Sequence, residues 1–347
     1  MDATVSVRPL SDSATRVGGL ELLGFLRFAL ACSVAAFHLW QTAFPRAGFH
    51  AVVGFFCISG FLVTKIARES YNDRPIAFLF NRFLRIYPTY WVCLIFAIAV
   101  GVWFPDIMTL PTFVTNWPKG LGGWINNFDL FTFAPEFGKI IAQAWSLEVE
   151  LTFYFIIGLC TYRSLALTLL GLSFSLAYAA LLIFKLVVGE FYFTASGTAF
   201  AFFLGATAYL LSGRFRLGGL VAAAAAVAYA VNMFVLPLAL EGHITEQRLN
   251  VSVMASAFCA AAILLAVPNL VLSPGRWKSW SSYLGRLSYP IFLLHVFAAA
   301  PVAAAIGQAT GPLLLASSFV VTMVLSVVIV QLVELPIERL RKVVRAR

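Results

Sequence analysis

The chain has 347 residues, of which 61% are hydrophobic and 11% charged, with a mean hydropathy of +0.91 and a formal net charge of +9. Soluble domains carry roughly 25% charged residues, so composition excludes a water-soluble globule and predicts an all-α, polytopic membrane helix bundle. The basic excess does not make a nucleic-acid binder, because Lys and Arg fall in short clusters between apolar spans and form no single patch. The five cysteines (Cys32, Cys57, Cys93, Cys160, Cys259) all lie in apolar runs without a CxxC pair, which predicts structural burial and neither a disulfide framework nor a metal site.

In chain order, the first apolar run is Leu22 to Trp40. Arg8 and Arg16 ahead of it, and the LAC at Leu30 to Cys32, resemble a signal peptide. Arg27 interrupts the run and further spans follow at once, so it reads as a retained first helix. Ten spans of about 17–25 residues are predicted, at 22–40, 50–67, 84–104, 142–160, 165–187, 197–211, 217–238, 250–267, 287–306 and 312–333, the sixth being short. The predicted divisions are a cytoplasmic segment 1–21, a transmembrane domain 22–333 and a basic cytoplasmic tail 334–347. With both termini inside, the loops holding Lys65, Arg68, Arg74, Arg163, Arg214, Arg216, Arg276, Lys278 and Arg286 are cytoplasmic, as the positive-inside rule requires. The opposite side keeps only Arg46, Lys119, Lys139, Lys185 and Arg248. The long external loop, 105–141, is too broken by Pro and Gly for a span and is expected to be half-inserted or interfacial, with Trp103, Trp117 and Trp124 at headgroup level. The alanine run 222–230 is expected to serve close helix packing. No soluble domain is expected on either side of the bundle.

Ionisable side chains inside spans are costly and mark function. Arg27 and His38 are eleven residues apart, hence on one helix face and about 16 Å apart along the axis. In NRFLRIYPTY, Arg82 and Arg85 share a face and form either a membrane anchor or an anion clamp. Ser59-Gly60 in GFFCISGFL allows a close helix approach, and the Ser59 hydroxyl can bond across helices. In WSLEVELTFY, Glu148 suits a helix N-terminus, whereas Glu150 stacks with Ser146 and Tyr154 at four-residue spacing and is a candidate inward-facing acid. His295 lies seven residues after Ser288 in the ninth span, either a satisfied polar group or a site residue. His50 and His243 fall near loop edges and look incidental.

Five motifs occur in order: R-x10-H (Arg27, His38), FFxxSGFL (Ser59), RxxRIYP (Arg82, Arg85), WSLxxExxFY (Trp145, Ser146, Glu150, Tyr154) and SYxxxLLH (His295). Together they resemble the membrane-bound acyltransferase-3 family over nearly the whole chain. The resemblance implies about ten membrane helices that move an acyl group, most often acetyl, from acyl-CoA to a sugar hydroxyl of a surface glycan. The implied acceptor is an exopolysaccharide, a lipopolysaccharide or a lipid-linked sugar, and the implied place is a bacterial inner membrane, among its lipids. Some members carry a fused extracytoplasmic hydrolase-like domain. The expectation here is action alone or with separate glycan-assembly proteins.

On this reading Arg82, Arg85, Arg276 and Lys278 hold the phosphates of acyl-CoA, with Arg27 part-way along its arm. His38, as an imidazole able to be neutral at working pH, is general base, with Glu150 at its depth to orient it. A covalent acyl-histidine relay is the variant mechanism. Trp145, Ser146, Ser59, Tyr154 and His295 are support or substrate residues. No metal is implied. The competing class is a proton-coupled transporter of a small anion or glycoside, against which stands the lack of an inverted repeat.

Overall fold

The computed structural model describes residues 20, 22–113, 115–131, 138–215, 217–240, 243–270 and 277–346. The segment 1–19, with Arg8 and Arg16, and Arg216, Arg276 and Arg347 lie outside the described residues. The long helices are α1 (Leu22–Leu39), α2 (Ala47–Ser70), α3 (Pro75–Trp103), α5 (Trp145–Ile156), α6 (Leu165–Ile183), α7 (Ala195–Leu211), α8 (Gly219–Ala230), α10 (Glu246–Ala266), α11 (Trp277–Ile306), α12 (Pro312–Ile329) and α13 (Leu335–Ala346). Shorter helices are α4 (Gly120–Asp129) and α9 (Leu236–Ala239). One π-helical turn each continues α5 (Ile157–Thr161), α8 (Val231–Val235) and α12 (Val330–Glu334).

Among the described residues nine helical stretches are long and apolar enough to cross a membrane, and α7, at 17 residues, is the shorter apolar helix expected as the sixth span. The expected spans all appear, with three changed in extent. α3 begins at Pro75, nine residues before the predicted edge, because Pro at the first helical turn starts a helix well. α11 begins at Trp277, so Lys278 and Arg286 ride on the helix and not in a loop. The tail 334–347 is no separate segment: α12 runs through the π turn into α13, one stretch of 34 residues from Pro312 to Arg345.

Two close crossings hold the bundle. α2 packs mainly on α7, and α1 on α11. A Cβ on Gly60 would lie 2.0 Å from the Phe202 carbonyl oxygen, and one on Gly205 1.9 Å from that of Cys57. A Cβ on Gly24 would lie 2.0 Å from the Ser281 carbonyl oxygen. Small residues let the backbones approach where no water-driven force joins helices, so dispersion contacts carry the association. The alanine run behaves otherwise. In α8 only Ala222 and Tyr229 are buried, seven residues apart on one stripe with the half-buried Ala225 between them, and the remaining alanines are exposed. Cys160 is likewise exposed, not buried.

The loop between α3 and α5 turns back into the bundle. The last turn of α4 leaves carbonyls without helical partners. Aromatic donors of α3 satisfy them: Tyr90 donates to the Asn127 carbonyl (2.6 Å), Trp91 to Phe128 (2.9 Å) and Tyr87 to Asp129 (2.6 Å). Those donors lie 12 to 16 residues before Trp103, so α4 ends about 18–24 Å down α3. Trp117 lies against Gly101 near the end of α3, while Trp124 shares a cleft with Trp91 and Tyr87 further down that helix. Asn127 then pins the returning chain, donating to the Gly138 carbonyl (3.0 Å) and accepting from the Ile140 amide (2.9 Å).

Gly60→Val is expected to destabilise the protein by about 1–3 kcal/mol or more. Gly213→Ala, whose methyl meets nothing within 4 Å, should stay within about 0.5 kcal/mol of wild type. Thermal midpoints of the detergent-purified variants check both, and an unchanged midpoint for Gly60→Val would contradict the α2–α7 crossing.

Candidate functional site

Three cavities follow one another between α1, α2, α5 and α11. The upper, beside the α3–α5 loop, has a volume of about 510 Å³, the middle about 50 Å³ and the lower about 430 Å³. Val52 and Phe292 belong to both upper and middle walls, and Arg27, Ser59 and Glu150 to both middle and lower walls. The three therefore adjoin wall to wall and lie in series through the bundle, a line referred to below as the passage. α1 runs along it, with His38 on the upper wall and Arg27 lower down.

His38 is paired with His295, not with Glu150. Its Nδ1 lies 2.8 Å from His295 Nε2, with the rings nearly parallel at 15°. His295 Nδ1 lies 3.0 Å from the Ile291 carbonyl oxygen, four residues back on α11. A carbonyl only accepts, so His295 Nδ1 carries the proton and its neutral ring presents a bare Nε2. His38 Nδ1 must then donate to it, which leaves the lone pair of His38 on Nε2. That atom makes no hydrogen bond among the described residues. The assignment follows from the bonding pattern: one backbone carbonyl fixes two tautomers in series.

Glu150 sits lower. Its Oε1 accepts from Ser59 Oγ (2.7 Å) and from the Tyr154 hydroxyl (2.5 Å). Arg27 lines the same two cavities as Glu150, yet the two close no ion pair. The expected placement of Glu150 at the depth of His38 is thus corrected. The cause is the start of α5: its first residue, Trp145, is on the upper wall, and Glu150 lies five residues, about 7.5 Å, further down. Trp145 packs on Phe56 (6.0 Å), Tyr192 (5.2 Å) and Phe193 (5.1 Å), while Ser146 donates to the Gln143 carbonyl (3.0 Å) and lines the middle cavity.

The lower cavity is charged. Six cationic side chains line it (Arg27, Arg82, Arg85, Lys278, Arg286, Arg341) against two acidic ones (Glu150, Glu338). Arg85 is tied to Glu334 at 3.0 Å, and Arg286 to Glu338 at 2.8 Å. Arg82 donates to Asn81 Oδ1 (3.0 Å) and stacks 5.7 Å over the Tyr154 ring, but its buried Nε has no partner among the described residues. Asn81 also binds Arg341, through its amide to the Arg341 carbonyl (3.1 Å) and from Arg341 Nε (3.2 Å). Arg82 and Arg85 are thereby part of a cationic cavity wall reaching across α3, α11 and α13.

Of the residues expected at the site, Arg27, His38, Ser59, Arg82, Arg85, Trp145, Ser146, Glu150 and Tyr154 line these cavities, while three of their partners were not expected. Gln143 donates to the Leu293 carbonyl (3.1 Å) and ties the start of α5 to the His295 helix. Tyr192 donates to the Phe49 carbonyl (3.1 Å) and closes the upper wall. Glu334, a buried acid in an apolar run, was the one readable signal of the three, and the π turn turns it toward Arg85. His50 lies in the first turn of α2, near the loop edge as expected, but it is fully buried and bonds Ser256 Oγ at 2.8 Å. In the loop, burial pushes the Lys139 ammonium pKa down, opposed by Glu148 at 2.7 Å.

Comparison with known proteins gives the family of the chain. The acyltransferase-3 family model, described as an acyltransferase domain, matches residues 22–331. The chain is 27% identical over 297 residues to the exopolysaccharide production protein ExoZ of Rhizobium meliloti (strain 1021), covering 78% of this chain and 84% of that protein. No solved structure matches. With the family model spanning nearly all of the helix bundle, the chain belongs to the acyltransferase-3 family, a family of enzymes that transfer acyl groups.

Proposed function

We propose that this protein is a multi-pass inner-membrane O-acyltransferase that moves an acyl group, acetyl foremost, from cytoplasmic acyl-CoA to a hydroxyl of an exported or cell-surface glycan. The observation that carries the reading is the passage itself, which leads from a mouth lined by six cations to the lone pair of His38. The arginine end of the bundle is taken as cytoplasmic, in keeping with its clustered Lys and Arg. There the forked donors of Arg82, with those of Arg341 and Arg286, suit the phosphates of coenzyme A.

The narrow middle stretch suits the pantetheine arm. Each amide of that arm offers a carbonyl to Arg27 and an N–H to the unshared Oε2 of Glu150, so two charges that do not neutralise each other are satisfied together. The thioester then lies beside His38 in the upper cavity. The acceptor hydroxyl gives its proton to His38 Nε2 as its oxygen attacks the thioester carbonyl. The C–S bond breaks, and the imidazolium returns the proton to the departing sulfur. His295 accepts from Nδ1 throughout and holds the ring in the competent tautomer. Glu150 supports donor binding in this mechanism and leaves orientation of the base to His295. The relative's printed link to exopolysaccharide production supports a glycan acceptor. Membership of an acyltransferase family speaks against the carrier alternative.

Two outcomes are expected in proteoliposomes. His38→Ala should lower transfer by about 10²-fold or more, and His295→Ala should lower kcat by at least about 10-fold with the KM for acyl-CoA unchanged. Full transfer by His38→Ala would overturn the base assignment, and capture of a labelled acyl group on His38 without acceptor would replace direct transfer by a relay. Arg82→Gln should raise the KM for acyl-CoA by roughly 10- to 100-fold, with a smaller effect on kcat, as expected for one charged hydrogen bond to phosphate. An unchanged KM would remove Arg82 from donor binding.

A further inference from the structure

We infer that the acceptor ring taken up beside His38 is an uncharged sugar, and that the upper cavity rejects uronic acids and other anionic rings. The inference rests on the acyltransferase reading above and narrows its acceptor class. Its basis is the division of charge along the passage. Eight of the residues lining the lower cavity are Arg, Lys or Glu. Among the described residues, the upper cavity is lined by no Asp, Glu, Lys or Arg at all, although it is the larger.

What lines it instead suits a neutral ring. Phe49, Trp145, Tyr192 and Phe193 form one continuous aromatic wall, with Phe49–Tyr192 centroids 4.5 Å apart and Trp145–Tyr192 5.2 Å apart. An apolar sugar face packs on such rings. Thr112 and Thr115, from the α3–α5 loop, add hydroxyls that carry no charge to offset an anion; that of Thr115 donates to the Phe113 carbonyl (3.1 Å) and can accept from a sugar OH.

A carboxylate drawn into this cavity would lose its water without gaining a cation, which is costly. Two candidates to compensate it are engaged or distant, and a third, Arg46, two residues before the lining Gly48, is not itself among the lining residues. Lys139 adjoins the lining residue Ile140, but its ammonium is held by Glu148 (2.7 Å) and by the Leu130 carbonyl (3.0 Å). Arg27 lies eleven residues below His38 on α1, about 16 Å along the axis. A ring whose hydroxyl reaches His38 Nε2 must sit within the uncharged wall, so the restriction falls on the acylated ring itself. Neighbouring sugars of the same glycan remain outside the cavity, where their charge is immaterial.

Matched acceptor pairs test this. Purified protein in proteoliposomes is given labelled acetyl-CoA and, in separate reactions, glucoside and glucuronide, galactoside and galacturonide, mannoside and mannuronide. At least one neutral member is expected to be acetylated, with its uronide at least about ten-fold lower in kcat/KM. Thr115→Arg, which supplies a cation to the wall, is expected to narrow that ratio. Equal transfer to a neutral ring and its uronide, or preference for the uronide, would overturn the inference while leaving the acyltransferase reading intact. Transfer to no member of any pair, together with no consumption of acetyl-CoA, would overturn both.

Discussion

An arginine, a glutamate and a histidine placed inside a bilayer are each expensive, and the whole arrangement of this bundle answers that cost. None of the three faces lipid. Arg27, Glu150 and His38 all open onto one passage, where partners or water can reach them. The cost is met differently at each level. At the bottom, excess cations are spread over α1, α3, α11 and α13, and two are tied to acids. In the middle, Ser59 and Tyr154 donate to one carboxylate oxygen and leave the other. At the top, charge is avoided altogether by a chain of two neutral imidazoles ending on a backbone carbonyl. A substrate that is anionic at one end, amide-bearing in the middle and neutral at the other fits that order.

Helix packing keeps the three levels in register. The Gly60–Phe202 and Gly24–Ser281 contacts bring α2 onto α7 and α1 onto α11 with backbones nearly touching. That places Ser59, beside Gly60, and Arg27, one turn from Gly24, on facing walls of the passage. The α3–α5 loop does the same for the upper cavity. Because α4 descends beside α3 and is capped by Tyr87, Tyr90 and Trp91, the chain returns at depth, and α5 starts with Trp145 already on the cavity wall. Irregular backbone is tolerated there because it is buried in protein, with its carbonyls satisfied by side chains.

Much of this was legible in the residues before any coordinates. The spans follow from hydropathy, and Arg27, His38, Glu150 and His295 stand out because each breaks an apolar run. Pairings were not legible, since periodicity reports which face a residue occupies on its own helix and nothing about the helix opposite. His38 meets His295 across 257 positions and Arg85 meets Glu334 across 249. Glu150 was therefore assigned to the wrong partner, and His50 was passed over because its partner Ser256 lies 206 residues away. Extents failed for a different reason. Hydropathy marks where a helix leaves an apolar environment and not where it stops being helical, so the amphipathic starts of α3 and α11 and the whole of α13 were left out.

The central claim is that donor and acceptor meet inside the protein from opposite ends of one passage. Proteoliposomes with the protein in one verified orientation, labelled acyl-CoA confined to the side of the arginine-lined mouth and a sugar acceptor confined to the other, test it most directly. The account predicts acylated acceptor on its own side, with coenzyme A retained on the donor side and no transfer when the two substrates are exchanged. Transfer that occurs only when both substrates share one side would contradict it.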